Sequence, residues 1–123
     1  MNIKNKKTLV IGASTNPIRY SYHAVISLRS HGHEIIALAK RKNQIGDVII
    51  QTQFPDKESI HTVTMYIGAQ HQPEYYNLVI DLQPKRVIFN PGTENPEFEK
   101  LLASSGIEVV KGCTLEMLSF NQY

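Results

Sequence analysis

Short β-branched runs alternate along this chain with segments whose apolar residues recur every three or four positions, the pattern of strands joined by amphipathic helices. Thr8-Leu9-Val10-Ile11 starts a first strand over residues 8–12. A helix over residues 19–30 follows, with Ala24, Val25 and Leu28 on one face and Gly32 placed to end it. The second strand spans 34–39, and Lys40-Arg41-Lys42 closes it. Residues 43–60 are irregular: Asp47-Val48-Ile49-Ile50 fits a short additional strand, and 55–59 a turn or one helical turn. The usual second crossover helix is therefore expected to be shrunken or missing. A third strand covers 62–67, and Pro73 opens a helix with Tyr75, Leu78, Val79 and Leu82 as its buried stripe. Residues 86–89 form the fourth strand. Asn95-Pro96-Glu97 then reads as cap, first helical residue and first-turn acid, ahead of the apolar Phe98, Leu101 and Leu102. Gly106 ends that helix, 107–110 is the fifth strand, and Thr114 caps a last short helix burying Leu115 and Leu118.

Strands alternating with crossover helices predict an α/β fold, a three-layer, doubly wound parallel sheet of about five strands. The order 3-2-1-4-5 is expected, which sets the switch point between the first strand and the strand at 86–89. Ligands bind such sheets beyond the strand C-termini at that point. The loops at 12–21, 40–42 and 90–92 should converge there. One domain is expected over 1–123, with residues 1–6 as a flexible tail.

Composition narrows the function. The 123 residues are 41% apolar and 20% charged with a net charge of +2, too little to suggest a nucleic-acid face. The single cysteine, Cys113, cannot form an internal disulfide, which suits a reducing compartment. No apolar run reaches the roughly 20 residues that span a bilayer, nor does the basic N-terminus contain a signal segment. A cytoplasmic protein without membrane or nucleic-acid partners is expected.

The chemistry concentrates in the converging loops. Gly12 lets the chain leave its strand sharply, and Ala13 and Ser14 are small enough for a ligand to approach the main chain. A strand breaking here into a helix presents backbone N–H groups to an anion. Ser14, Thr15 or Ser21 can add hydroxyl donors, and Arg19 at the helix entry can fork two bonds to a phosphate. A tight turn with a solvated arginine is the plainer reading of the same residues. A dinucleotide site for NAD wants an acid at the end of the second strand. Lys40-Arg41-Lys42 stands there instead, which suits a phosphorylated ribose, as in NADP or coenzyme A. Asn90-Pro91-Gly92 is either a simple turn or a third wall for the ligand.

Catalytic groups are sparse. His31 and His33 lack a third ligand for a metal, His23, His61 and His71 stand apart, and no nucleophile, base and orienter come together.

Gly12-Ala13-Ser14, Pro17, Arg19 and Ser21, then Asn90-Pro91-Gly92-Thr93 before Asn95-Pro96, then Gly106-Ile107-Glu108-Val109-Val110 with Gly112-Cys113, occur in that order. Together they resemble the small single-domain CoA-binding proteins, which are similar to the CoA-binding Rossmann domain of the succinyl-CoA synthetase α subunit and of ADP-forming acyl-CoA synthetases. The resemblance covers about residues 7–119. It implies a site for coenzyme A or an acyl-CoA and no reaction. Residues 12–21 (Gly12, Ala13, Ser14, Thr15, Asn16, Arg19, Ser21) would hold the pyrophosphate. Lys40 and Arg41 would meet the adenosine end, and the loop Tyr66-Ile67-Gly68 would lie along the pantetheine arm. Pro91 and Gly92 complete the expected site from the turn after the fourth strand. Two places depart from the family. Ala37-Leu38-Ala39-Lys40 stands where relatives commonly read Val-Asn-Pro-Lys, and Tyr66-Ile67 where they often show Phe-Arg. The synthetases' phosphorylated histidine belongs to a further domain, which is not expected here. A cysteine is frequent in the family where Cys113 stands. A mixed disulfide with the CoA thiol is one role for it, and a buried small hydrophobe is the favoured one.

Two other functions remain open at this stage. An NADP-binding oxidoreductase or regulatory domain shares the basic loop, although Tyr75-Tyr76 has no lysine at the Tyr-x-x-x-Lys spacing. The non-catalytic CoA half of a split acyl-CoA synthetase would need a protein partner. A homodimer is compatible with every reading.

Overall fold

The computed structural model describes residues 5–56 and 58–123. Residues 1–4 of the expected tail and Lys57 of the expected turn at 55–59 lie outside the described residues. Asn5 and Lys6 are hydrogen-bonded to Glu34 and His33.

In chain order the elements are β1 (Thr8–Ile11), α1 (Tyr20–Ser30), β2 (Ile35–Leu38), β3 (Asn43–Ile45), β4 (Val48–Gln51) and β5 (Thr62–Met65). Two 3₁₀ turns at Ala69–His71 and Pro73–Tyr75 lead into α2 (Tyr76–Leu82). Then come β6 (Arg86–Phe89), α3 (Pro96–Ser104), β7 (Glu108–Lys111) and α4 (Thr114–Ser119). Among the described residues the seven strands form one sheet, ordered β3-β4-β2-β1-β5-β6-β7. Only the β3–β4 pair is antiparallel.

The expected five strands and order 3-2-1-4-5 are corrected here. Residues 48–51 form a full strand that pairs with β2, so the place outside β2 is taken. The strand at 62–65 therefore lies on the other side of β1, with Thr8 opposite Thr62 and Ile11 opposite Met65. The switch point falls between β1 and β5 rather than between β1 and β6. The strand β3 was not expected, because Asn43 and Gln44 are polar, exposed and at the sheet edge. It is folded back by the two-residue turn Gly46-Asp47, with Gly46 at φ +56°.

Alternation along each strand makes two cores. Leu9, Ile11, Met65 and Phe89 pack with Val79 of α2 and Phe98 and Leu102 of α3. Val10, Ala37 and Ile50 pack on the opposite face with Val25 and Leu28 of α1 and Leu118 of α4. The strands are buried on both faces, which is why they read as continuous apolar runs. Phe98 anchors the first core: it is fully buried, edge-on to Phe89 and stacked on Tyr76 at 4.4 Å between ring centroids. Asn95 caps α3 by accepting the Phe98 N–H, as its sequence predicts. Other helix details differ. Pro73 opens a 3₁₀ turn instead of α2, and Leu78 and Leu101 are exposed. Thr114 is the first residue of α4, whose N-cap is Cys113, and Leu115 is half-buried.

Candidate ligand-binding site

At the carboxyl edge of the sheet the chain leaves β1 through Gly12, whose φ is +96°. A β-carbon at Gly12 would lie 2.7 Å from Ile67 Cγ2 and 3.1 Å from the Tyr66 carbonyl. The loops after β1 and β5 thus touch at a spot that only glycine fits. They form the shared wall of two adjoining hollows. The larger, about 460 Å³, is lined by Ser14, Arg19, Tyr20, Ser21, Tyr66, Gly68, Pro91, Gly92 and Thr93. The smaller, about 390 Å³, has Ala13, Ala39, Lys40, His71, Glu74 and Tyr75 on its walls. Both fall within the ordinary size of ligand pockets, about 300–1,000 Å³.

The loop's hydrogen bonds show which amides remain for a ligand. Gly12 and Ala13 both donate to the Leu38 carbonyl, so they are committed to the sheet. The Asn16 N–H is taken by Ser14 Oγ, the Ile18 N–H by Asn16 Oδ1, and the Arg19 N–H by the Asn16 carbonyl. A His23 ring nitrogen pairs with the Pro17 carbonyl and braces the loop from α1. The amides of Ser14, Thr15, Tyr20 and Ser21 have no acceptor among the described residues. The last two belong to the first turn of α1, which has neither a side-chain cap nor an acid. With Arg19 exposed beside them, the loop offers four open donors and a guanidinium to an anion.

A buried polar frame fixes the other loops. Gln72, fully buried, donates to the carbonyls of Ile67 and Thr93 and accepts from Asn95, so it ties the loops after β5 and β6 to each other. Asn90 donates to Thr64 Oγ1 and the Met65 carbonyl and accepts the Thr114 N–H, tying β5, β6 and α4 together. Beside the Thr64–Thr114 hydroxyl pair, the Tyr66 hydroxyl is buried without a hydrogen-bond partner. Burial pushes its pKa far above the usual phenol range.

Of the residues expected at the site, Gly12, Ala13, Ser14, Arg19, Ser21, Lys40, Tyr66, Ile67, Pro91 and Gly92 line the two hollows. Thr15, Asn16 and Arg41 are exposed and stand outside those walls. Gly68, expected with Tyr66 and Ile67, also lines the larger hollow. Tyr20, His71, Glu74, Tyr75 and Thr93 were not among the expected site residues, nor was Gln72, which frames their loops. Placing the 62–65 strand beside β1 would have found most of them, because the loop after that strand then borders the crevice. Cys113 is half-buried and outside both hollows. Among the described residues no group of three His, Cys, Asp or Glu side chains is placed to hold a metal, and no helix is long and apolar enough to cross a membrane. Hollows of about 470 and 450 Å³ also flank Arg29 and His33 at the far edge. Volume therefore does not distinguish the carboxyl edge from the far one.

Similar proteins share this fold. A crystal structure of an uncharacterized protein is 48% identical, covering 98% of this chain and 99% of its own, with a TM-score of 0.94. A hypothetical protein from Pyrococcus horikoshii OT3 is 23% identical over 95% of this chain and 84% of its own, TM-score 0.84. The Thermus thermophilus protein cell-free ID.343 is 24% identical over 96% and 91%, TM-score 0.81. The last two show the Rossmann-like fold alone. No curated protein matches the chain. The family model of the CoA binding domain matches residues 6–119, which include all the described strands and helices, and this chain belongs to that family.

Proposed function

We propose that the chain is a single CoA-binding unit whose cleft at the carboxyl edge holds coenzyme A or an acyl-CoA without a reaction of its own. The four open amides of Ser14, Thr15, Tyr20 and Ser21 carry this reading, since they suit a pyrophosphate. Arg19 adds a cation there. Lys40, with Arg41 next to it, meets the 3′-phosphate of the adenosine end. The loop of Tyr66, Ile67 and Gly68, with Pro91 and Gly92 opposite, borders the pantetheine arm. Coenzyme A supplies a thiol that carries acyl groups, and this chain's residues position it. The family match supports CoA over NADP.

Thermal unfolding with CoA, acetyl-CoA, NADP and NAD in parallel tests the proposal. A ligand at about 100 times its Kd adds about 2.7 kcal/mol to the stability of the folded state. CoA is expected to raise the midpoint and NAD to leave it unchanged. A response to NADP with none to CoA refutes the reading.

A further inference from the structure

The smaller hollow has an ion pair across its mouth. Lys40 Nζ lies 2.8 Å from Glu74 Oε1, and the same ammonium sits 5.7 Å above the Tyr75 ring. Lys40 follows β2, whereas Glu74 and Tyr75 follow β5, so the pair bridges the two strands that flank β1. Gly12, Ala13 and Ile67 lie on the walls of the same hollow. The Glu74 carboxylate makes no other hydrogen bond or ion pair among the described residues. Arg41 and Lys42 have no acidic partner among them either, so Lys40 is the one member of the basic cluster already engaged by a carboxylate.

We propose that Glu74 sets the ligand preference of the cleft: it competes with a ligand's 3′-phosphate for Lys40 and weakens binding of 3′-phosphorylated ligands more than of dephosphorylated ones. The inference rests on the CoA-binding reading above. Both side chains are exposed, 74% for Lys40 and 55% for Glu74, so the pair is weak and readily exchanged. A phosphate carries more charge than a carboxylate and displaces it from the ammonium. Glu74 then remains at the same mouth as an unpaired anion facing the phosphate that replaced it. A ligand lacking the 3′-phosphate leaves the pair intact and meets no such opposition. Glu74 is thus a specificity-determining residue that moderates the advantage Lys40 gives to 3′-phosphorylated ligands.

Calorimetric titration of wild type and Glu74→Gln with CoA and dephospho-CoA tests this. The variant keeps the size of the side chain at an exposed position, so its fold is retained. It is expected to bind CoA about two- to five-fold more tightly, the range of an exposed ion pair. Dephospho-CoA should gain less, and the difference should shrink as salt is raised. If the pair merely staples two loops, Glu74→Gln lowers the thermal midpoint and leaves the CoA to dephospho-CoA ratio unchanged. That result overturns the inference, as do equal gains for both ligands or weaker CoA binding. Failure of the wild-type chain to bind CoA contradicts the proposed function as well, which separates the two.

Discussion

Replacing Gly12 with alanine probes the contact on which the cleft is built. The added methyl meets two separate obstacles. At φ +96° an L side chain is strained, by about 1–3 kcal/mol. Its β-carbon would also fall 2.7 Å from Ile67 Cγ2 and 3.1 Å from the Tyr66 carbonyl. Ile67 is packed against the first core and has little room to yield, so overpacking adds about 1–3 kcal/mol. The combined loss is about 2–6 kcal/mol, a large part of the roughly 5–15 kcal/mol that holds a domain together. Gly92→Ala is the control. Gly92 has nearly the same φ, +91°, but a β-carbon there meets nothing within 4 Å. Both substitutions reduce unfolded-chain entropy equally, and that contribution cancels in the difference. Urea unfolding should show Gly12→Ala less stable than Gly92→Ala by about 1–3 kcal/mol, with unchanged m-values. The same methyl enters the wall shared by both hollows, so Gly12→Ala should also lose CoA binding under conditions where it remains folded. Equal destabilisation of the two variants would refute the close approach of the β1 and β5 loops.

Gln72→Ala leaves the Ile67 and Thr93 carbonyls without their buried donor and should destabilise the fold by about 2–4 kcal/mol in urea unfolding; a loss below that range would mean the two loops are held by other contacts. Burial holds the imidazoles of His33 and His61 below the usual 6.5, and neutral His33 Nδ1 accepts the Lys6 N–H. The unfolded chain takes up these protons first, so stability is complete above about pH 6.5 and declines as the pH falls from there toward the folded-state values. The urea midpoint should drop between pH 7.5 and 5.5, and a midpoint that rises over that interval contradicts the burial of the two rings.

Much of this architecture was legible because hydrophobic burial acts locally. The strand at 86–89 and the face of Ala24, Val25 and Leu28 follow from periodicity, and the Asn95 cap and Gly32 stop follow from backbone hydrogen-bond needs. Strand order is not a local property. Treating Val48-Ile49-Ile50 as an accessory rather than a full strand moved the 62–65 strand to the wrong side of β1 and hid Glu74 and Tyr75 from the cleft. The strand β3 left no apolar signal, since two of its three residues face water. The sequence offers no reading of Gln72 and places Asn90 only in a turn or ligand wall, yet each is buried and joins segments about 20 or more residues apart. Such long-range pairings have no one-dimensional trace. The glycine loop suggests an anion site to sequence reasoning, but only the hydrogen-bond pattern separates the committed amides of Gly12 and Ala13 from those without an acceptor among the described residues.

A ¹⁵N–¹H titration of the chain with CoA addresses those open amides directly. The signals of Ser14, Thr15, Tyr20 and Ser21 should move saturably with CoA, with smaller shifts at Lys40 and Gly92. Unmoved signals at these four amides, or shifts gathered around Arg29 and His33 at the opposite edge, would contradict a CoA site in the glycine loop.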